Sequence, residues 1–210
     1  MRDPQWFPVF LNVTGARALV VGGGRVALRK CRDLRAAGAN VRVVAPQVLK
    51  AIERLRGVEV ARRAFRATDL RGVAIAIAAT DDEAVNRRVA EAARKRGVLV
   101  NVVDAPALCS FIVPALLRRG RVTVAVGTGG AAPALAKHLR DRIGRTLGPE
   151  VAQHAALLAR ARAMLRRKVP DPARRMALLK RWAGEEIEIM VAGGRIKEAW
   201  AMMRSEIETQ

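Results

Sequence analysis

Residues Ala18 to Ala27 read Ala-Leu-Val-Val-Gly-Gly-Gly-Arg-Val-Ala, and this stretch decides the fold. It opens on an uninterrupted apolar run, the signature of a strand buried on both faces. Three glycines follow, then an amphipathic stretch from about Val26 to Ala37 that Gly38 closes. Strand, glycine turn and helix together give the dinucleotide-binding spacing G-x-G-x-x-A. In that spacing Gly22 permits the tight turn, Gly24 lets a pyrophosphate approach the backbone, and Ala27 lets the helix pack on the sheet. The N–H groups at the helix start, at Arg25 and Val26, then hold the phosphates. Glycine-rich turns also end strands for structural reasons alone; the strand and helix on either side favour the dinucleotide.

Working outward, short apolar runs at Val41–Val44, Val58–Ala61, Val73–Ala78 and Leu99–Val103 read as strands. Leu49–Leu55 and Asp82–Arg96 read as helices between them. Strands alternating with helices predict βαβ units and a mostly parallel sheet. The pattern changes after Phe111–Arg119: Gly120 separates it from a strand at Val122–Val126, and a helix follows at Ala134–Leu147. Beyond Gly148-Pro149 the chain reads as helices only, at Glu150–Lys168, Ala173–Trp182, Glu185–Ala192 and Arg195–Ile207. The expected class is α/β: a Rossmann-type parallel sheet over residues 1–113, a short α+β segment over 114–148, and a helical C-terminal module over 149–210.

The 210 residues carry 39 Lys+Arg against 19 Asp+Glu, a formal net charge of +20. An apolar fraction of 51% excludes a disordered chain despite that charge. Cys31 and Cys109 have no metal-ligand spacing, so neither a disulfide scaffold nor a structural zinc site is expected, and a reducing cytoplasm fits. Met1 to Phe10 carries Asp3, Pro4 and Pro8 and does not read as a signal peptide. No stretch approaches the roughly 18 apolar residues of a membrane span. From Lys137 to Arg181 there are 13 basic and 3 acidic residues. This is either a solvated helical surface or a region that attracts a polyanion. Aromatics are few and scattered, which counts against a nucleic-acid platform.

The acid that grips the ribose of NAD is expected at the end of the second strand. That strand ends in Val44-Ala45-Pro46-Gln47 instead, and Gln47, behind Pro46, can hydrogen-bond a ribose in its place. Arg42 lies within the strand and can face either way, so these residues leave NAD and NADP both open.

Three further segments carry a resemblance. They are Ala76-Ile77-Ala78-Ala79-Thr80-Asp81-Asp82, Asn101-Val102-Val103-Asp104-Ala105-Pro106, and Ser110-Phe111-Ile112-Val113-Pro114. With the glycine loop and Gly127-Thr128-Gly129-Gly130-Ala131-Ala132-Pro133, their order from Phe7 to about Leu139 closely resembles the precorrin-2 dehydrogenase / sirohydrochlorin ferrochelatase family. This is the N-terminal module of siroheme synthases. The methyltransferase module of the fused enzymes has no counterpart here, so the chain resembles a stand-alone form.

The resemblance implies NAD-dependent oxidation of precorrin-2 to sirohydrochlorin, in some members with iron insertion as well. It implies a homodimer, with 114–148 as the dimerisation segment and 149–210 on the tetrapyrrole side. Its substrate carries eight carboxylates, which gives the arginines an anionic partner without nucleic acid. It assigns catalysis to Asp104, where a carboxylate beside the cofactor takes a proton as hydride leaves; the other reading of Asp104 is a side-chain cap on the next turn. Thr80, Asp81, Asn101 and Val103 are placed beside ribose and nicotinamide, although Thr80 or Asp81 can equally cap the next helix. Thr128, Gly129 and Gly130 are either a loop over the tetrapyrrole or a plain turn. His138 and His154 read as surface positions, Cys31 and Cys109 as core, and no tightly bound metal is expected. A reading from another class is a Rossmann-type sensor or nucleic-acid-binding module working through the basic tail.

Overall fold

The computed structural model describes residues 6–209; Met1 to Gln5, part of the segment read against a signal peptide, lie outside it. The chain divides into two compact units, Met1–Val113 and Pro114–Gln210.

In the first unit, β1 (Arg17–Val21), β2 (Asn40–Val44), β3 (Val58–Ala61), β4 (Val73–Ala78) and β5 (Leu99–Val102) form one parallel sheet in the order β3-β2-β1-β4-β5. β1 and β4 are apolar at successive positions because both their faces are covered, whereas β2 and β3 carry Arg42 and Glu59 on one face. Ala18, Val20, Val41, Val43, Ile75 and Ile77 point to one face, where α1 (Arg25–Ala36) brings Ala27, Cys31 and Leu34. Ile52 of the one-turn α2 (Lys50–Glu53) joins them. Leu19, Val21, Val44, Ala76, Val100 and Val102 point to the other face, against Val89, Ala90 and Ala93 of α3 (Glu83–Arg94). The strand order reverses at β1, so the crevice for a ligand opens between the C-terminal ends of β1 and β4.

The segment after β5 is not a strand. Ala115 is the first paired residue of β6 (Ala115–Arg119), and residues 109–111 run along the free edge of β5. Ser110 N–H donates to the Val100 carbonyl at 2.8 Å, and the Val100 N–H donates to Ser110 Oγ at 2.7 Å. Phe111 accepts a 3.1 Å hydrogen bond from Asn101 Nδ2. An edge strand with exposed N–H groups is a pairing hazard, and this segment covers it.

In the second unit β6 and β7 (Val122–Val126) make an antiparallel hairpin, Arg119 opposite Val122, with Gly120 at φ 56° in the tight turn. Gly120 also abuts the Ala152 side chain, where an added Cβ would come within 2.9 Å. α4 (Pro133–Thr146) packs on both strands. α5 (Glu150–Lys168), α6 (Pro172–Trp182), α7 (Glu185–Ala192) and α8 (Ile196–Glu208) close around fully buried Trp182 with Leu157, Leu165, Ile187 and Met203. His154 belongs to this packing rather than to an open surface: it is half-buried, and its Nε2 donates to the Trp182 carbonyl at 2.7 Å.

Candidate active site

The glycine loop is fixed by contacts on both sides. Gly22 sits at φ 127°, and a Cβ there would lie 2.2 Å from the Ala79 carbonyl oxygen, where the ends of β1 and β4 meet. Gly23, given no role in the spacing rule, is held as tightly: its Cβ would fall 1.9 Å from the Gln47 carbonyl oxygen. Gly24 is the opposite case, with nothing within 4 Å of a Cβ. It is also the N-cap of α1, and no side chain caps that helix. The open space at Gly24 and the uncapped N–H groups of Arg25 and Val26 fit a pyrophosphate. Ala27 is fully buried, as close helix–sheet packing requires. Pro46 and Gln47 are exposed beside the loop.

A cavity of about 570 Å³ opens along the same edge of the sheet, walled by Val26 of α1, Thr80 and Asp81 after β4, and Val103 and Asp104 after β5. It thus brings together five of the residues singled out in the sequence. Asn101 does not line it. Asn101 is buried one residue short of the strand end, where its amide donates to Phe111 and approaches Cys109 Sγ at 3.5 Å.

Asp104 has φ 57°, and no other non-glycine residue among those described has a positive φ. An L-residue there pays a steric penalty of order 1 kcal/mol, least for Asp and Asn. Cys109 holds the turn in place: its Sγ accepts from the Val102 N–H at 3.1 Å and sits 3.3–3.4 Å from the Val102 and Ala105 carbonyls. Among the described residues nothing hydrogen-bonds the Asp104 carboxylate, so it is not a turn cap. It acts electrostatically on the half-buried Lys30, one turn along α1 from Val26. Burial, and then Arg29, hold Lys30 below the ordinary lysine range, with Asp33 and then Asp104 opposing them.

The helix-capping alternative is also decided. Asp82, not Thr80 or Asp81, caps α3, accepting from Ala84 N–H at 2.8 Å and Val85 N–H at 3.1 Å. Thr80 is bracketed by Asn86: its hydroxyl lies 2.8 Å from Asn86 Oδ1, and Asn86 Nδ2 donates to the Thr80 carbonyl at 2.9 Å. Asn86, one turn into α3, was missed in the sequence; the signal available was a polar residue on the otherwise apolar face of that helix. Cys109 was read only as core. Burial raises its thiol pKa, and pushes that of Cys31 up to about 11, so neither is a thiolate at neutral pH.

Arg42 faces away from this site. It pairs with Glu59 on β3 at 3.4 Å and lines a separate concavity at the N-terminal edge of the sheet. In the second unit, Thr128 Oγ1 accepts from the Ala132 N–H at 3.2 Å, and Gly129 and Gly130 both have positive φ. Among the described residues no three of His, Cys, Asp and Glu converge as metal ligands, and no helix is long and apolar enough to cross a membrane.

Comparison with known proteins follows this division. Residues 9–115 match the family model described as putative NAD(P)-binding, and residues 119–146 match that of the sirohaem biosynthesis protein central segment. The siroheme synthase of Ectopseudomonas mendocina (strain ymp) is 40% identical over 204 residues, 97% of this chain and 44% of the relative. That of Pseudomonas fluorescens (strain SBW25) is 46% identical over 176 residues, 82% of this chain and 38% of the relative. The chain therefore spans less than half the length of these curated relatives. A solved structure of SirC, precorrin-2 dehydrogenase, superposes with a TM-score of 0.82 at 26% identity, covering 98% of this chain and 100% of that one. With a nicotinamide-dinucleotide domain in its first unit, the chain belongs to the precorrin-2 dehydrogenase / sirohydrochlorin ferrochelatase family of siroheme synthase modules.

Proposed function

We propose that this chain oxidises precorrin-2 to sirohydrochlorin with NAD, in siroheme biosynthesis. The observation that carries the reading is Asp104: a carboxylate free of hydrogen bonds, in the wall of a cavity at the strand-order reversal, on the edge that bears the open Gly24 loop. Gly24, Arg25 and Val26 receive the pyrophosphate at the start of α1, and Pro46 and Gln47 flank the adenosine ribose. Thr80 and Val103 bound the nicotinamide side. Asn101 keeps the end of β5 in register beneath Asp104. Nicotinamide, when bound, accepts the hydride. Oxidation also releases a proton from the macrocycle, and Asp104 takes it.

NAD rather than NADP is supported by Arg42. Its pairing with Glu59 and its place at the far edge leave β2 with no cation for a 2′-phosphate. The eight substrate carboxylates suit a surface of net charge +20. In this reading Thr128, Gly129 and Gly130 form the substrate-side loop, residues 149–210 face the tetrapyrrole, and 114–148 joins two copies in a cytoplasmic homodimer.

An anaerobic assay with precorrin-2 tests the reading. NADH absorbance rises with NAD and only weakly with NADP. No reduction of either dinucleotide overturns it. Ferrous iron added after oxidation reads metal insertion separately.

A further inference from the structure

The N-terminal edge of the same sheet carries a second concavity, of about 560 Å³. Side-chain alternation explains it. Arg17, Arg42 and Glu59 lie on the face that Leu19, Val44 and Ala61 share with α3. A parallel connection ordinarily lays a helix across such a face. Between β3 and β4 this chain has only the single 3₁₀ turn Ala67–Leu70. Leu70 fills the core beside the turn, and charged side chains stand in the space that a longer helix would occupy.

The charges there do not cancel. Asp69 is buried and committed: it accepts from Arg63 Nη1 at 2.8 Å, from Arg63 Nη2 at 2.5 Å and from the Arg66 N–H at 2.8 Å. Glu59 is paired with Arg42, whose Nε is itself buried and makes no hydrogen bond. Arg17 and Arg71 line the same cavity. Among the described residues the guanidinium group of neither makes a hydrogen bond or ion pair. Each guanidinium carries five N–H donors in a planar fork that matches two oxygens of a phosphate or carboxylate. Two residues bearing such forks line a space with both nearby carboxylates already engaged.

We infer that this cavity binds a small polyanion bearing phosphate or carboxylate groups, gripped by Arg17 and Arg71 with Arg42 behind them, at a site separate from the cofactor crevice. The volume exceeds what inorganic phosphate needs and suits a molecule with two or three anionic groups. The inference rests on the fold of the first unit alone and stands whether or not the chain oxidises precorrin-2.

A surface this basic attracts any polyanion, so the test separates site from field. Tripolyphosphate and citrate are titrated calorimetrically at about 150 mM salt, where long-range attraction is largely screened. The proteins compared are wild type, the double variant Arg17→Gln/Arg71→Gln, the charge-matched double variant Arg166→Gln/Arg167→Gln on α5, and Gly24→Val in the cofactor loop. Loss of two charge-assisted forks weakens binding by about tenfold or more in the Arg17/Arg71 variant. The other two variants keep the wild-type affinity. Selective loss for tripolyphosphate identifies a phosphate ligand, for citrate a carboxylate ligand, and for both an oxyanion site without that preference. No measurable binding of either probe by wild type, an equal loss in the α5 variant, or a loss confined to Gly24→Val overturns the inference. The Arg17 and Arg71 side chains are exposed, so thermal unfolding of the double variant without ligand matches wild type.

Discussion

Gly23 and Gly24 are neighbours with opposite duties. A methyl group at Gly23 meets the Gln47 backbone, which has nowhere to move without shifting the start of α2. A side chain at Gly24 meets nothing in the protein and occupies the space assigned to the pyrophosphate. Gly23→Ala is therefore expected to lower thermal stability markedly, whereas Gly24→Val unfolds near the wild-type temperature but binds NAD about tenfold more weakly or worse. Thermal denaturation and a fluorescence titration with NADH separate the two. At Asp104 the positive φ and the unbonded carboxylate occur in one residue, so a strained backbone and an available base coincide at the cavity wall.

The turn from β4 into α3 shows how an element aims a site. Asp82 satisfies the first N–H groups of the helix, and Asn86 reaches back to both the carbonyl and the hydroxyl of Thr80. Asn86→Ala removes a buried amide and leaves the half-buried Thr80 without that bracket, and is expected to destabilise the first unit by about 1–3 kcal/mol, read by urea unfolding. The turn before β4 is held by Asp69, whose pKa is lowered chiefly by its hydrogen bonds to Arg63. A depressed carboxylate contributes stability that is present above its unfolded pKa of about 4 and is lost as pH falls through the lower folded value. Asp69→Asn is thus expected to be less stable than wild type at neutral pH, with the gap closing below about pH 4. Melting temperatures across that range check it.

Elements with strong apolar patterning were legible in the sequence: Val58–Ala61, Val73–Ala78, Val122–Val126, Glu150–Lys168 and Glu185–Ala192 have the bounds that their patterns predict. Helix ends moved by a residue or two where capping decides the boundary, as at Asp82 and Asp171. The edge cover formed by Cys109, Ser110 and Phe111 was not legible, because it depends on which strand lies at the margin of the sheet, a property of topology rather than of local pattern. That Asp82, rather than Thr80 or Asp81, caps α3 was hidden for a similar reason, since three adjacent polar residues offer the same chemistry until the backbone selects one.

Across the whole molecule basic residues outnumber acidic ones by 39 to 19, and the two sheet edges of the first unit differ in kind. The C-terminal edge has an open glycine loop, a bare helix start and a free carboxylate. The N-terminal edge has unpaired guanidinium groups. The central claim concerns the first of these, and NADH formation from NAD and precorrin-2 under anaerobic conditions, compared between wild type and Asp104→Asn, tests it most directly. Asparagine tolerates the same backbone conformation and removes only the base. The account predicts unchanged NAD affinity and a rate lower by about a hundredfold or more. A variant that turns over at the wild-type rate contradicts it.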